Sequence, residues 1–262
     1  NRSLTPERII EQAQALVEGG HREIVLTGAD IASYGLDISA SPGLGGLGGL
    51  VSRLLDEAPG VERLRLTSLD PGLDDDRLFA LLADEPRLMG HLHLSVQSGD
   101  NAILKRMKRR HSRSSALEFV GRARKARPDV VLGADLIAGF PTETDKMFEA
   151  TVSMIGEMAL TYLHVFPFSP RPGTPAASMP QVPSAVINER AARLRQAGDR
   201  ALAGYLQSRI GSDAEVLVED DNRGHDRHYA TVRLDFDAAP GDIVRARITG
   251  VEDSNLIGRE IP

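Results

Sequence analysis

The sequence predicts an α/β protein: a partial barrel of parallel strands wrapped by helices, then a small all-β barrel. Three observations predict it. Five short β-rich runs alternate with amphipathic helical segments, at spacings that suit successive βαβ crossovers. Most of those runs are too apolar for strands with one face in water, which suits a sheet covered by helices. Past residue 210 the pattern changes to short strand-like runs between turns rich in Asp, Asn, Pro and Gly.

The β-rich runs are 23–27 (EIVLT), 63–68 (RLRLTS), 91–96 (HLHLSV), 130–137 (VVLGADLI) and 160–166 (LTYLHVF). Segments 5–18, 47–57, 75–83, 114–125 and 144–158 read as amphipathic helices between and around them. A long helix over 184–209 follows from Ile187, Ala191, Leu194, Ala201 and Tyr205 at helical spacing, with Ser184 as its N-cap. The run from Pro42 to Gly49 is expected to be a flexible loop rather than a phosphate cradle. It neither follows a strand directly nor supplies a P-loop lysine. Runs 214–218, 228–234 and 242–249 read as antiparallel strands separated by turns at 220–224 and 238–242. The domains are therefore expected to be 1–210 and 211–262, divided near Ile210-Gly211.

A chain of 262 residues, 41% hydrophobic, has material for one medium core and a small satellite. No apolar run approaches the roughly 20 residues that span a bilayer, and no signal peptide opens the chain. A soluble, cytoplasmic protein without a membrane partner is expected. Asn1-Arg2-Ser3 runs straight into a helix start, as though residues precede it. The absence of cysteine excludes disulfides, thiolate metal sites and a cysteine nucleophile within these residues. Net charge is −6, yet 101–127 carries ten basic residues against one acid, Glu118. Such a field on an acidic protein points to a local polyanion contact, with a solvated helix face as the alternative.

In a parallel barrel, working residues sit where the strands end. Those ends offer Thr27-Gly28, Ser68, the stretch from Ser95 to Gly99, the stretch from Ile137 to Glu143, and a Pro-rich segment around Arg171. Glycines and small polar groups there suit close approach to a nucleoside. Arg171, between two prolines, is a cation on a stiff segment, fit for a carboxylate or phosphate. Thr142 with Asp145 reads as a capping box. Gln97 is either a ligand contact or a loop-orienting residue. Asp135 must face the lumen and be paired there. His91 and His93 share one strand face and admit a zinc reading. They open their run, however, which puts them at the bottom of the barrel as packing residues. His164 has no evident sequence partner. No Ser/His/Asp triad can be assembled from neighbouring strand ends, and the catalytic residues stay unassigned.

Five segments in order carry a resemblance: EIVLTGADIASYG (23–35), HLHLSVQSGDNAILKRMKRRH (91–111), GADLIAGFPTET (133–144), HVFPFSPRPGTPAA (164–177) and GDIVRARITG (241–250). Together they resemble the radical-SAM methylthiotransferases, over essentially the whole chain. Within that family they look most similar to the branch that methylthiolates threonylcarbamoyl-adenosine beside the tRNA anticodon. A sister branch acts on isopentenyl-adenosine, and another modifies a ribosomal protein. The competing reading from another class is a non-catalytic RNA-binding remnant.

The resemblance implies a partial (β/α)6 half-barrel that binds S-adenosylmethionine, with a C-terminal TRAM-like barrel that helps to hold substrate. It implies a Cys-x3-Cys-x2-Cys loop after the first strand for one [4Fe–4S] cluster and a preceding domain with a second, besides an electron donor and a sulfur source. This sequence opens where that loop should end, so five strands are expected rather than six. By the same resemblance Thr27 and Gly28 match the segment near the methionine amino group. Ser68, Ser95 and Gln97 match contacts to ribose or methionine, Ile137 and Gly139 lie along adenine, and Arg171 stands at the mouth. The tRNA anticodon loop would meet Lys105, Lys108, Arg109 and Arg110, or Arg245 and Arg247. One departure is the charge of 209–262, seven basic residues against twelve acidic, a poor phosphate ligand as a whole.

Overall fold

Residues 2–38 and 45–261 are described by the computed structural model. In chain order the parallel half comprises α1 (Pro6–Glu18), β1 (Glu23–Leu26), α2 (Gly46–Glu57), β2 (Arg63–Leu69), α3 (Asp76–Asp84) and β3 (Leu88–Gln97). It continues through α4 (Asn101–Arg106), α5 (Arg113–Ala126), β4 (Val131–Ala138), α6 (Asp145–Glu157) and β5 (Tyr162–Pro167), with short 3-10 turns at Ile31–Ser33 and Pro175–Ser178. Its strands lie in sequence order, β1-β2-β3-β4-β5, all parallel, forming an open half-barrel whose edges are β1 and β5.

Side-chain alternation gives that sheet two different faces. Leu64, Leu66, Leu92, Leu94, Leu132, Ala134 and Leu136 join the buried core beneath the helices. The alternate positions place Arg63, Arg65, His91, His93, Asp135, Tyr162 and His164 on the concave side. Helix starts follow from capping: Asp75 accepts from the Leu78 N–H, Asp100 from Ala102 and Ile103, and Ser112 with Ser115 forms a capping box.

Three local expectations are corrected. Of the run 42–49 expected as loop, Gly46–Gly49 form the largely buried first turn of α2, in keeping with the helix read over 47–57. A Cβ at Gly48 would lie 2.5 Å from Asp75 Oδ1, so glycine lets α2 close onto the α3 cap. Pro42, Gly43 and Leu44 of that run lie outside the described residues. The cap of α6 is Thr144, which accepts from the Met147 N–H, not Thr142. Thr142 takes a left-handed φ of 69° instead. Ser184 is the first helical residue of α7 (Ser184–Ser208), after Pro183 at the N-cap position, and its hydroxyl caps nothing.

α7 packs across β5 and β4. Buried Arg190 binds it to the β4–α6 loop and the start of α6, donating to the Glu143 carboxylate (2.8 Å) and carbonyl (3.0 Å) and to Asp145 (2.7 Å). Beyond it lie β6 (Asp213–Asp220), β7 (Arg223–Asp226), β8 (Thr231–Leu234), β9 (Ile243–Glu252) and β10 (Asn255–Glu260), a closed barrel in the order β10-β8-β7-β6-β9. Five strands replace the three expected. β7 falls within the expected turn at 220–224 and just past it, and β10 closes the barrel by pairing parallel with β8. Its core is Val216, Val218, Val232, Ala246, Ile248 and Leu256. No helix among the described residues is long and apolar enough to cross a membrane.

The small barrel plugs the N-terminal end of the half-barrel. Buried Arg63 donates to the carbonyls of Glu215 and His225, and Arg65 to those of Asp226 and Arg227. Tyr229, between β7 and β8, stacks on His91 (centroids 5.0 Å apart) and on His225 (4.7 Å), with the Arg65 guanidinium over its ring. The lumen is therefore closed below and accessible from the strand C-termini.

Candidate active site

At the mouth, strand after strand ends in left-handed backbone: Ser68 of β2 at φ 60°, Gln97 of β3 at φ 65° and Gly139 after β4 at φ 75°. Such conformations cost a non-glycine residue about 1–2 kcal/mol, and strain of this kind collects at functional sites. The surrounding structure holds it in place. Asp70, just past β2, accepts from the Gly72 N–H (2.8 Å), Arg109 (3.1 Å) and His111 (3.1 Å). Arg109 also donates to the Ser95 carbonyl, and the other nitrogen of His111 lies 3.0 Å from the Val96 carbonyl. Burial opposes the Asp70 charge, but hydrogen bonds from His111 and Gly72, with the nearby Arg109 charge, hold its carboxyl below the usual carboxylate range. Sequence reasoning missed Asp70 and His111. The available signal was His111 closing the basic motif.

Two adjoining cavities open at this mouth. One, about 410 Å³, is lined by Gln97, Met107, Ile137 and Phe140 among others. Its neighbour, about 500 Å³, is lined by Ile137, Phe166, Phe168 and Arg171. Ile137, Thr174 and Ala176 belong to both, so Ile137 adjoins Gln97 in one cavity and Arg171 in the next, while Gln97 and Arg171 line different cavities. Arg171 is exposed and carries no ion pair among the described residues. Thr27 and Gly28 instead line a third cavity of about 470 Å³ along the free edge of β1, with Ile9, Asp30 and Tyr34. That cavity shares no lining residue with the other two. Ser68, Ser95 and Gly139 line none of the three. Gly139 faces α7: a Cβ there would lie 2.5 Å from Ile187 Cγ1, while its N–H donates to Glu143.

Deeper in the lumen, half-buried Asp135 is paired. His93 Nε2 lies 2.9 Å and His164 Nδ1 3.3 Å from its Oδ1. His164 thus has a partner that its sequence neighbourhood does not reveal. Below this cluster, burial drives the His91 imidazole down to about 3, with the Arg65 charge adding to the effect.

The basic segment divides into structural and free cations. Arg110 pairs with Asp30, Arg113 with Glu157, and Arg122 with Asp74 and Asp76, while Arg127 donates to the Leu88 carbonyl. Arg109 and Arg110 thus also serve the fold: Arg109 ties Asp70 to the Ser95 carbonyl while lining the mouth cavity, and Arg110 remains exposed in its pair with Asp30. Lys105 and Lys108 are exposed without ion pairs among the described residues, and Lys108 lines the mouth cavity. Arg106 is exposed beside them and, among the described residues, reaches the Met147 sulfur alone. Arg245 and Arg247, on β9, share the single Asp213 carboxylate, which offsets part of their charge.

Comparison with known proteins decides the family. The model described as "Radical SAM superfamily" matches residues 1–155. The chain belongs to the radical SAM superfamily. This radical SAM chain is 47% identical over 256 residues to "Threonylcarbamoyladenosine tRNA methylthiotransferase MtaB" of Rickettsia prowazekii, covering 98% of the chain and 60% of the relative. It is 37% identical over 258 residues to "tRNA-2-methylthio-N(6)-dimethylallyladenosine synthase" of Erythrobacter litoralis, covering 96% and 57%. The chain thus spans about 60% of the length of the curated relatives it matches. Among solved structures, the radical SAM coproporphyrinogen III oxidase HemN of Escherichia coli shares the fold: TM-score 0.51 at 17% identity, over 78% of this chain and 52% of that one.

The two groups that the superfamily implies fare differently against these residues. The mouth cavities lie within the roughly 300–1,000 Å³ usual for small-molecule sites. Apolar Ile137 beside Gln97 and an unpaired Arg171 fits S-adenosylmethionine, with its aromatic base, hydroxyls and carboxylate. An iron–sulfur cluster does not fit, because the sequence holds no cysteine to ligate one.

Proposed function

We propose that this chain is the S-adenosylmethionine-binding half-barrel and terminal β-barrel of a radical methylthiotransferase that modifies threonylcarbamoyl-adenosine in tRNA. The observation that carries this reading is the 47% identity to the Rickettsia protein across 98% of the chain. The 37% identity to the dimethylallyladenosine synthase supports the sister substrate less strongly. The boundary between the two units is placed near Ile210-Gly211, between α7 and β6.

In this reading Gln97 and Arg171 orient the ribose and amino-acid parts of the cofactor beside Ile137, with Ser68 and Ser95 adjoining. Thr27 and Gly28 border the β1 edge. Bound S-adenosylmethionine would supply a carbon radical once an electron from outside these residues cleaves its sulfonium bond, and this chain supplies orientation and exclusion of water. The iron–sulfur ligands, the electron donor and the sulfur source belong to parts of the system outside these residues. Lys105, Arg106 and Lys108 line the approach of an anticodon loop, whose unstacked bases are what proteins usually read in RNA. A tRNA substrate places the work in the cytoplasm.

The test is an assay of the full-length protein, with its clusters reconstituted, on tRNA carrying either modified adenosine. Mass analysis should show the methylthio group on threonylcarbamoyl-adenosine and little on the isopentenyl substrate. Methylthiolation of the isopentenyl substrate alone would overturn the assignment.

A further inference from the structure

The geometry points to a divalent-metal site in the lumen, formed by His93, Asp135 and His164 and distinct from anything thiolate-bound. Three neighbouring strands, β3, β4 and β5, each contribute one side chain. Each offers one ligand atom, and the three atoms all lie within 4.8 Å of one another. Asp135 Oδ1 stands 2.9 Å from His93 Nε2 and 3.3 Å from His164 Nδ1. Ligands bound to zinc at about 2.0–2.1 Å in a tetrahedron stand about 3.3 Å apart, so little rearrangement separates this cluster from a coordinating one.

Strand register explains how the cluster assembles. Asp135 and His164 are direct partners across β4 and β5, whereas the partner of His93 on β4 is Gly133. A Cβ at Gly133 would lie 2.5 Å from His93 Nδ1. Glycine there lets the imidazole lean over β4 and reach the carboxylate two residues on. Below, the stack of His91 on Tyr229 closes the lumen. Above, the His164 side chain is 63% exposed, so an ion would meet the lumen with at least one coordination position free. Two imidazoles and one carboxylate suit a borderline divalent ion such as zinc or ferrous iron, not calcium or magnesium, which take oxygen ligands.

The inference stands apart from the methylthiotransferase reading. Because the sequence has no cysteine, any tight site on this chain must use nitrogen and oxygen. The test titrates the chelator-treated chain with cobalt(II) alone, followed by visible ligand-field absorption, then displaces it with zinc(II). One equivalent per chain with strong low-symmetry bands is expected. H164A, at an exposed side chain, and D135N should each weaken binding by about 100-fold or more, beyond the 10–100-fold usual for losing a mere supporting partner. H21A, on an exposed residue away from the lumen, should change nothing. Circular dichroism of each variant reports folding, and H164A alone suffices if D135N does not fold. Absence of a stoichiometric site, or a site indifferent to H164A, overturns the proposal and leaves a hydrogen-bonded cluster.

Discussion

His91 stays neutral in the folded protein because burial drives its pKa to about 3, with Arg65 adding to the effect, whereas the unfolded imidazole takes its proton near 6.5. Its contribution to stability is therefore complete above pH 6.5 and is lost as pH falls toward 3. Urea unfolding should show stability falling by about 1.4 kcal/mol per pH unit below 6.5 from this residue alone. H91F keeps a ring against Tyr229 and should flatten that slope; an unchanged slope would assign the acid sensitivity elsewhere. At Gly139, alanine would need a left-handed φ and would press on Ile187, so G139A should cost about 2–4 kcal/mol in denaturant unfolding. A neutral G139A would mean that α7 can move away from the strand end. The glycine was legible in the sequence, but its reason was not: nothing in GADLIAGF says that Ile187, from a helix 48 residues on, lies over it. Likewise His91-x-His93 was visible as a pair on one face, while only register brings His93 to Asp135 and His164.

Among the elements, α7 is anchored by the Arg190–Glu143 pair, both side chains nearly inaccessible. Burial raises the Glu143 pKa, opposed by the Gly139 N–H and by Arg190. Removing the cation leaves an uncompensated buried carboxylate, so R190L should destabilise by about 3–5 kcal/mol, and adding E143Q should recover part of that deficit. Equal stability of single and double variants would show that the pair is not what holds the helix. The five parallel strands were legible because their apolar runs are bounded by turns and separated by amphipathic helices. The terminal barrel was legible in kind but not in count. Arg223–Asp226 is a strand of polar residues whose only buried members are Gly224 and Asp226, so no hydrophobic alternation announces it. The α2 glycines misled for the opposite reason, since a composition that signals flexibility was serving close helix contact.

Across the whole molecule, the charge field seen in sequence separates in space into cations spent on the fold and a smaller set at the mouth. K105E/R106E/K108E should weaken binding of an anticodon stem-loop RNA without unfolding the chain. Its log–log salt slope should fall by roughly 0.7–0.9 for every phosphate that the variant no longer neutralises. An unchanged slope would remove the mouth from the RNA path. The convergence of strand ends was legible only in part: Gln97 and Arg171 line adjoining cavities that share Ile137, Gly139 faces α7 instead, and Thr27 and Gly28 lie along the open β1 edge, because five strands form a half-barrel that does not close. The most direct test of the tRNA reading is mass analysis of tRNA nucleosides from cells lacking the gene that encodes this chain. The account predicts that methylthio-threonylcarbamoyl-adenosine disappears, that its unthiolated precursor accumulates, and that the intact gene restores the product. An unaltered nucleoside profile would contradict it.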